Sequence, residues 1–192
     1  MSLVVIACGG RGIRLGYEGQ KCCVPVAGRP FLHWKLDELV CNGATDIILL
    51  VSHHADETIE TAQQWGTVAW KRDEGRGPWQ AVTELAACFY TDDPFWVTWG
   101  DTLYDHPIEG PAPLRYLTTE LGDERPNVGK LLDAGLYHVK QSDPAPTWFM
   151  DRVTDIPTWT INTPEQLART SAHLVRHGQP GRNPRVGSTP VG

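Results

Sequence analysis

The apolar positions of this chain fall into short runs divided by glycine, proline and polar turns, and the spacing inside each run predicts its element. Leu3-Val4-Val5-Ile6 is continuous and breaks at Gly9-Gly10, the pattern of a short buried strand. Asp46–Val51 is a second unbroken run, of the kind buried on both faces and so parallel to its neighbours. Between them Leu32, Leu36, Leu39 and Val40 mark one helical face, with Pro30 in the first turn and Asn42-Gly43 as a left-handed cap. Ala55–Trp65 predicts a surface helix, 67–70 a third strand, 78–89 a helix opened by Pro78, and Phe95–Trp99 a fourth strand. Alternation of strand and helix through residue 100 predicts a right-handed, doubly wound, mostly parallel sheet in three α/β/α layers. Beyond Gly110 the pattern loosens. A short helix is expected near 114–121, then strands near 127–132, 135–139 and 148–153. Thr163-Pro164-Glu165-Gln166 starts a last helix, with Thr163 as N-cap and Pro164 in the first position, ending at His177-Gly178. This gives one domain over 1–178 and a flexible tail, rich in proline and glycine, over 179–192. No internal repeat is present.

Composition narrows the class. A hydrophobic share of 41% and a charged share of 21% suit a globular domain, and no apolar run approaches the ~20 residues of a membrane span. A net charge of −6 argues against nucleic acid as a partner. Five cysteines without metal spacing, and a first strand with no basic segment before it, lead us to expect reduced thiols in a cytoplasmic protein. The tryptophans in strands (Trp70, Trp96, Trp99) are expected in the core. The histidines, which lack ligand spacing, are expected in surface or capping roles.

Charge changes the picture around the first glycines. Between Gly9 and Lys35 stand Arg11, Arg14, Lys21, Arg29 and Lys35 against Glu18 alone, which is +4 in an acidic chain. Cations gathered on a loop with glycines at 9, 10 and 12, at the carboxyl edge of a sheet, predict a polyphosphate ligand. Two common glycine loops do not match. Leu15 stands where the dinucleotide fingerprint needs its third glycine, and no Gly-Lys-Ser/Thr occurs. What is present is G-G-x-G-x-R-L, then Lys21, then Pro25-Val26-x-Gly28-x-Pro30.

This motif resembles the sugar-phosphate and MobA-like nucleotidyltransferases, with Ile13 in place of threonine and Cys22 in place of the proline after lysine. The resemblance implies a Rossmann-like fold of the nucleotide-diphospho-sugar transferase type. It also implies transfer of an NMP from an NTP to a phosphorylated acceptor such as a sugar 1-phosphate, with release of pyrophosphate. On the matching positions, Gly9, Gly10 and Gly12 would hold the triphosphate, Arg14 would face the leaving pyrophosphate, and Lys21 the α-phosphoryl oxygens. Asp101, after Gly100 at the end of the fourth strand, would bind Mg²⁺. Thr160-Ile161-Asn162-Thr163-Pro164-Glu165-Gln166-Leu167 is similar to the family's second metal segment, with Asn162 as the ligand; its alternative role is only to precede a helix cap. Glu74–Ala81 falls at the base-recognising turn, with Gly77 and Gln80 as nucleotide-binding residues. Asp133-Ala134-Gly135 is similar to the acceptor-lining element, with Asp133 and Gly135 as acceptor-binding residues. The expected partners are an NTP and a small phosphorylated acceptor, with no nucleic acid and no membrane; a homo-oligomer is compatible with the reading. Two alternatives stay open: a glycosyltransferase of similar sheet architecture, which the absence of D-x-D at Asp101-Thr102-Leu103 opposes, and a non-catalytic nucleotide-binding module.

Overall fold

The computed structural model describes residues 3–10, 12–89, 93–104, 112–118, 132–154 and 158–178. In chain order these form strand β1 (Leu3–Ala7), the short hairpin β2 (Pro25–Val26) and β3 (Arg29–Pro30), helix α1 (Phe31–Cys41) and β4 (Asp46–Val51). Helix α2 (Ala55–Trp65), β5 (Ala69–Arg72), α3 (Pro78–Ala86), β6 (Phe95–Trp99) and β7 (Thr102–Tyr104) follow. The chain continues through β8 (Leu114–Thr118), β9 (Leu132–Val139), β10 (Met150–Thr154), β11 (Thr158–Thr160) and α4 (Pro164–His177).

Seven strands make the central sheet in the order β10-β8-β9-β6-β1-β4-β5. β1 lies between β4 and β6 and is parallel to both, β4 is parallel to β5, and β9 alone runs against its neighbours β6 and β8. The alternation within β1 explains the layers. Val4 and Ile6 pack with Leu32, Leu36 and Leu39 of α1 and Ile59 of α2 on one face, while Val5 packs with Val82 and Leu85 of α3 on the other. This is the three-layer, mostly parallel architecture expected. A third cluster, Val26, Phe31, Leu103, Ile161 and Leu174, packs α4 against the two hairpin-like pairs β2/β3 and β7/β11.

The structure departs from the sequence reading in three places. Residues 114–118 form a strand, β8, where a helix was expected; its pairing with β9 and β10 outweighs local preference. Trp70 is 46% exposed on β5, the edge of the sheet, and is not core, whereas Trp96 is buried. The cations do not all gather at the glycine loop either. Lys35 is fully buried beside Glu38 under the sheet, and Arg29 pairs with Asp37 at 2.6 Å. Arg11, residues 127–131 of the strand expected at 127–132 and the tail 179–192 lie outside the described residues.

Candidate active site

The register of the parallel strands places the loop residues. Ala7 is opposite Leu50 on β4 and Trp99 on β6, so the three strands end side by side. Cys8 N–H donates to the Leu50 carbonyl at 2.8 Å, and Gly100 N–H donates to the Ala7 carbonyl at 3.0 Å. Gly9-Gly10 and Gly100-Asp101 therefore leave the sheet at one edge, where they line a cleft of about 280 Å³. Side chains would block this edge. A Cβ on Gly9 would stand 2.6 Å from Ser52 Oγ, and one on Gly100 would stand 2.8 Å from Cys8 Sγ, whereas Gly10 faces open space.

Lys21 opens a short 3₁₀ turn, Lys21–Cys23, on the wall of the cleft. Gln20, buried at 1% exposure, fixes the start of that turn. Its side-chain oxygen accepts from Lys21 N–H at 2.9 Å, its amide donates to the carbonyls of Cys8 and His53, and its own N–H donates to Glu57 at 2.6 Å. With its backbone held, Lys21 sends its ammonium across to Asp101 Oδ2 and to Asn162 Oδ1, the latter at 2.7 Å. Asn162 arrives through β11, which pairs antiparallel with β7 just after Asp101; Ile161 N–H donates to the Asp101 carbonyl at 3.3 Å. The helix cap below it holds the position: Thr163 Oγ1 accepts from Gln166 N–H, and Gln166 Oε1 accepts from the N–H of Asn162, one residue before the cap, at 3.0 Å.

The oxygens of Asp101 and Asn162 thus converge on one point that a cation fills. Two hard oxygen donors suit Mg²⁺, which takes few protein ligands and completes its shell with water and phosphate oxygens. Among the described residues no group of three His, Cys, Asp or Glu side chains is placed to hold a metal. The pair fits a metal shared with a substrate.

The other expected site residues are spread more widely. Gly77 lines the cleft and caps α3 at φ 108°, but Gln80 is exposed and its amide donates to Glu84 at 2.9 Å. Gly12 takes a left-handed φ of 63° and caps the turn Ile13–Leu15; Arg14 is exposed on that turn, and neither residue lines the cleft. Asp133 falls on β9 opposite Leu117, with its side chain outside the described part. Gly135, also on β9, has φ 71° and faces Trp99, which does line the cleft. The sequence reading missed Gln20, Ser52, Asp73 and Trp99 as residues of this site. Asp73 lies at the mouth of the β5–α3 turn, where its Oδ1 accepts from Gly75 N–H at 3.0 Å. Its signal was available, as an acid directly after a strand and ahead of two glycines.

Beneath the cleft several buried groups are perturbed. Burial lowers the Lys35 pKa, and Glu38, 3.1 Å away, works against that shift. Tyr104 covers the ammonium with its ring at 4.2 Å and donates its N–H to Glu38 at 2.9 Å. Its hydroxyl donates to the carbonyls of Ala134 and Gly135. Cys8, Cys22 and Cys23 are buried free thiols, and contact with Cys22 together with burial pushes Cys23 far up.

The structure thus brings Lys21, Asp101 and Asn162 together beside the Gly9-Gly10 edge of the cleft. The model of the MobA-like NTP transferase domain matches residues 4–173. This chain belongs to that family. Structural likeness agrees. The MobA-like domain superposes on HddC from Yersinia pseudotuberculosis complexed with GMP-PN with a TM-score of 0.75 at 19% identity, covering 91% of this chain and all of that one. It superposes on a UDP-glucose pyrophosphorylase from Acinetobacter with a TM-score of 0.70 at 16% identity, covering 94% and 96% of the two chains. At these identities the likeness establishes the fold. In sequence, the MobA-like domain is 26% identical over 137 residues to the bifunctional protein GlmU of Sorangium cellulosum. That match covers 62% of this chain and 29% of the relative, so the chain spans under a third of its length. No helix among the described residues is long and apolar enough to cross a membrane.

Proposed function

We propose that this protein transfers an NMP from an NTP to a small phosphorylated acceptor, a sugar 1-phosphate or similar, and releases pyrophosphate. The observation that carries this reading is the convergence of Lys21, Asp101 and Asn162 beside the bare Gly9-Gly10 edge. An acceptor phosphate oxygen attacks the α-phosphorus, a new P–O bond forms, and the bond to the β-phosphate oxygen breaks with its electron pair leaving on pyrophosphate. No covalent enzyme intermediate is needed, so catalysis rests on positioning and on charge placed where charge develops. Gly9 and Gly10 admit the phosphates against the backbone, Gly12 shapes the turn that follows, and Lys21 neutralises the α-phosphoryl oxygens. Arg14 would meet the leaving pyrophosphate from its exposed turn. Gly77 and Gln80 would border the base, and Asp133 and Gly135 the acceptor. Asp101 and Asn162 would hold Mg²⁺, which when bound withdraws charge from the phosphate oxygens.

The similar structures support the class. Their names include a UDP-glucose pyrophosphorylase and, at 13% identity, an inositol-1-phosphate CTP transferase from T. maritima. The free thiols agree with work in the cytoplasm. The test is a pyrophosphate-release screen of the four NTPs with Mg²⁺ against a panel of sugar 1-phosphates and other small phosphates. One NTP and acceptor pair should give turnover abolished by Lys21→Ala. A folded protein that releases no pyrophosphate with any pair, or that instead cleaves a nucleotide-sugar, overturns the reading.

A further inference from the structure

The cation that fills the Asp101–Asn162 point is one of the protein's own. We propose that in the free protein the Lys21 ammonium holds the position a divalent metal would take, and that the metal gains it only when a triphosphate draws Lys21 away. This deepens the transfer reading, on which its triphosphate half rests.

Three observations carry it. The same two atoms, Asp101 Oδ2 and Asn162 Oδ1, that suit a metal both accept from Lys21 Nζ. The Lys21 and Asp101 side chains are only 16% and 18% exposed, so the pair is largely shielded from water although it borders the cleft. The charge of Asp101 is already balanced, and a divalent ion arriving alone would meet one neutral amide, one neutralised carboxylate and a repelling ammonium. The backbone of Lys21 is fixed by Gln20, but four flexible methylenes let the ammonium move to another anion. A triphosphate entering along Gly9-Gly10 is such an anion. It offers the ammonium new oxygens, and the two vacated oxygens of Asp101 and Asn162 would then be free to hold the metal. The substrate on this account is the metal–NTP complex, and free metal is held off until it comes.

The experiment needs neither nucleotide nor acceptor. Mn²⁺ binding is measured by calorimetry and electron paramagnetic resonance on the parent protein, Lys21→Met, Lys21→Gln, Lys21→Arg and the double variant Lys21→Met/Asp101→Asn, each checked for an intact melting transition. Lys21→Met and Lys21→Gln should bind one Mn²⁺ roughly tenfold more tightly than the parent, the scale of one shielded ion pair. Lys21→Arg should bind as weakly as the parent, and the double variant should lose the gain. Using two neutral replacements keeps the test decisive where one fails to fold. Equal Mn²⁺ affinity in the parent and a folded neutral variant, or a gain that survives Asp101→Asn, overturns the proposal. An absence of pyrophosphate release in the substrate screen would overturn the transfer reading alone, since Mn²⁺ binding is read without substrates.

Discussion

Gly135 is where sequence and structure give different reasons for the same residue, and replacing it with alanine separates them. The resemblance places Gly135 at the acceptor, whereas in the structure its φ of 71° and the nearness of Trp99 already demand glycine. A Cβ there would lie 2.2 Å from Trp99 Cδ1 and 2.8 Å from Nε1, well inside contact distance, and the obstacle is a rigid ring. That ring is packed edge-on against Trp79 at 6.0 Å and Tyr137 at 5.4 Å, and it borders the cleft on its free side. A left-handed alanine costs about 1–2 kcal/mol, and forcing a methyl into a packed site costs about 1–3 kcal/mol more. Gly135→Ala should therefore lower stability by about 2–5 kcal/mol. In a Trp99→Leu background only the backbone part should remain, leaving a coupling of about 1–3 kcal/mol between the two positions. Urea unfolding followed by far-ultraviolet circular dichroism, which does not depend on Trp99 itself, measures all four corners of the cycle. A coupling below about 0.5 kcal/mol, the scatter expected of independent sites, would refute the steric argument and return Gly135 to a purely substrate-facing role.

Three further outcomes are expected. Lys21→Ala should keep the fold and lose two to three decades of turnover, because a contact made in a dry phosphate site is worth roughly 3 kcal/mol in the transition state; pyrophosphate release within a few-fold of the parent would count against it. Asp101→Asn should abolish activity at any practical Mg²⁺, Asn162→Ala should raise the Mg²⁺ needed for half-maximal rate, and Asn162→Asp should keep or lower it; titrations of rate against Mg²⁺ that coincide for both Asn162 variants and the parent would leave Asn162 as only the residue before the cap. The Cys23 thiol is pushed up by its contact with Cys22 and by burial, so above pH 9.0, the ordinary thiol value, the unfolded chain releases a proton that the folded one keeps. Its contribution is intact below that value and stability falls as pH rises past it, by up to about 1.4 kcal/mol per pH unit for this group. Urea midpoints under reducing conditions at pH 8, 9 and 10 should decline less steeply in Cys23→Ala, and parallel curves would show that Cys23 does not titrate differently in the two states.

The central half of the fold was legible in the sequence because its signals are local. The buried run of β4, the apolar face of α1, Pro78 at the start of α3 and the Thr163 cap of α4 each specify an element without reference to distant residues. The spaced motif identified the family for the same reason, since strand, glycine turn and lysine are consecutive in the chain. Tertiary structure alone decided the rest. β8 became a strand because β9 and β10 offered it partners, a non-local pairing that no window of sequence contains. Lys35 reads as one more cation near the loop, yet its place on α1 turns it inward, where Glu38 and Tyr104 make its burial tolerable. Gln20, Ser52 and Trp99 became site residues only when the parallel register brought the ends of β1, β4 and β6 to one edge. The sequence reading placed Asp101 and Asn162 together at a metal and Lys21 apart from them, at the α-phosphoryl oxygens. That one ammonium bridges both oxygens is a fact of distance in space, and folding alone brings those three side chains together.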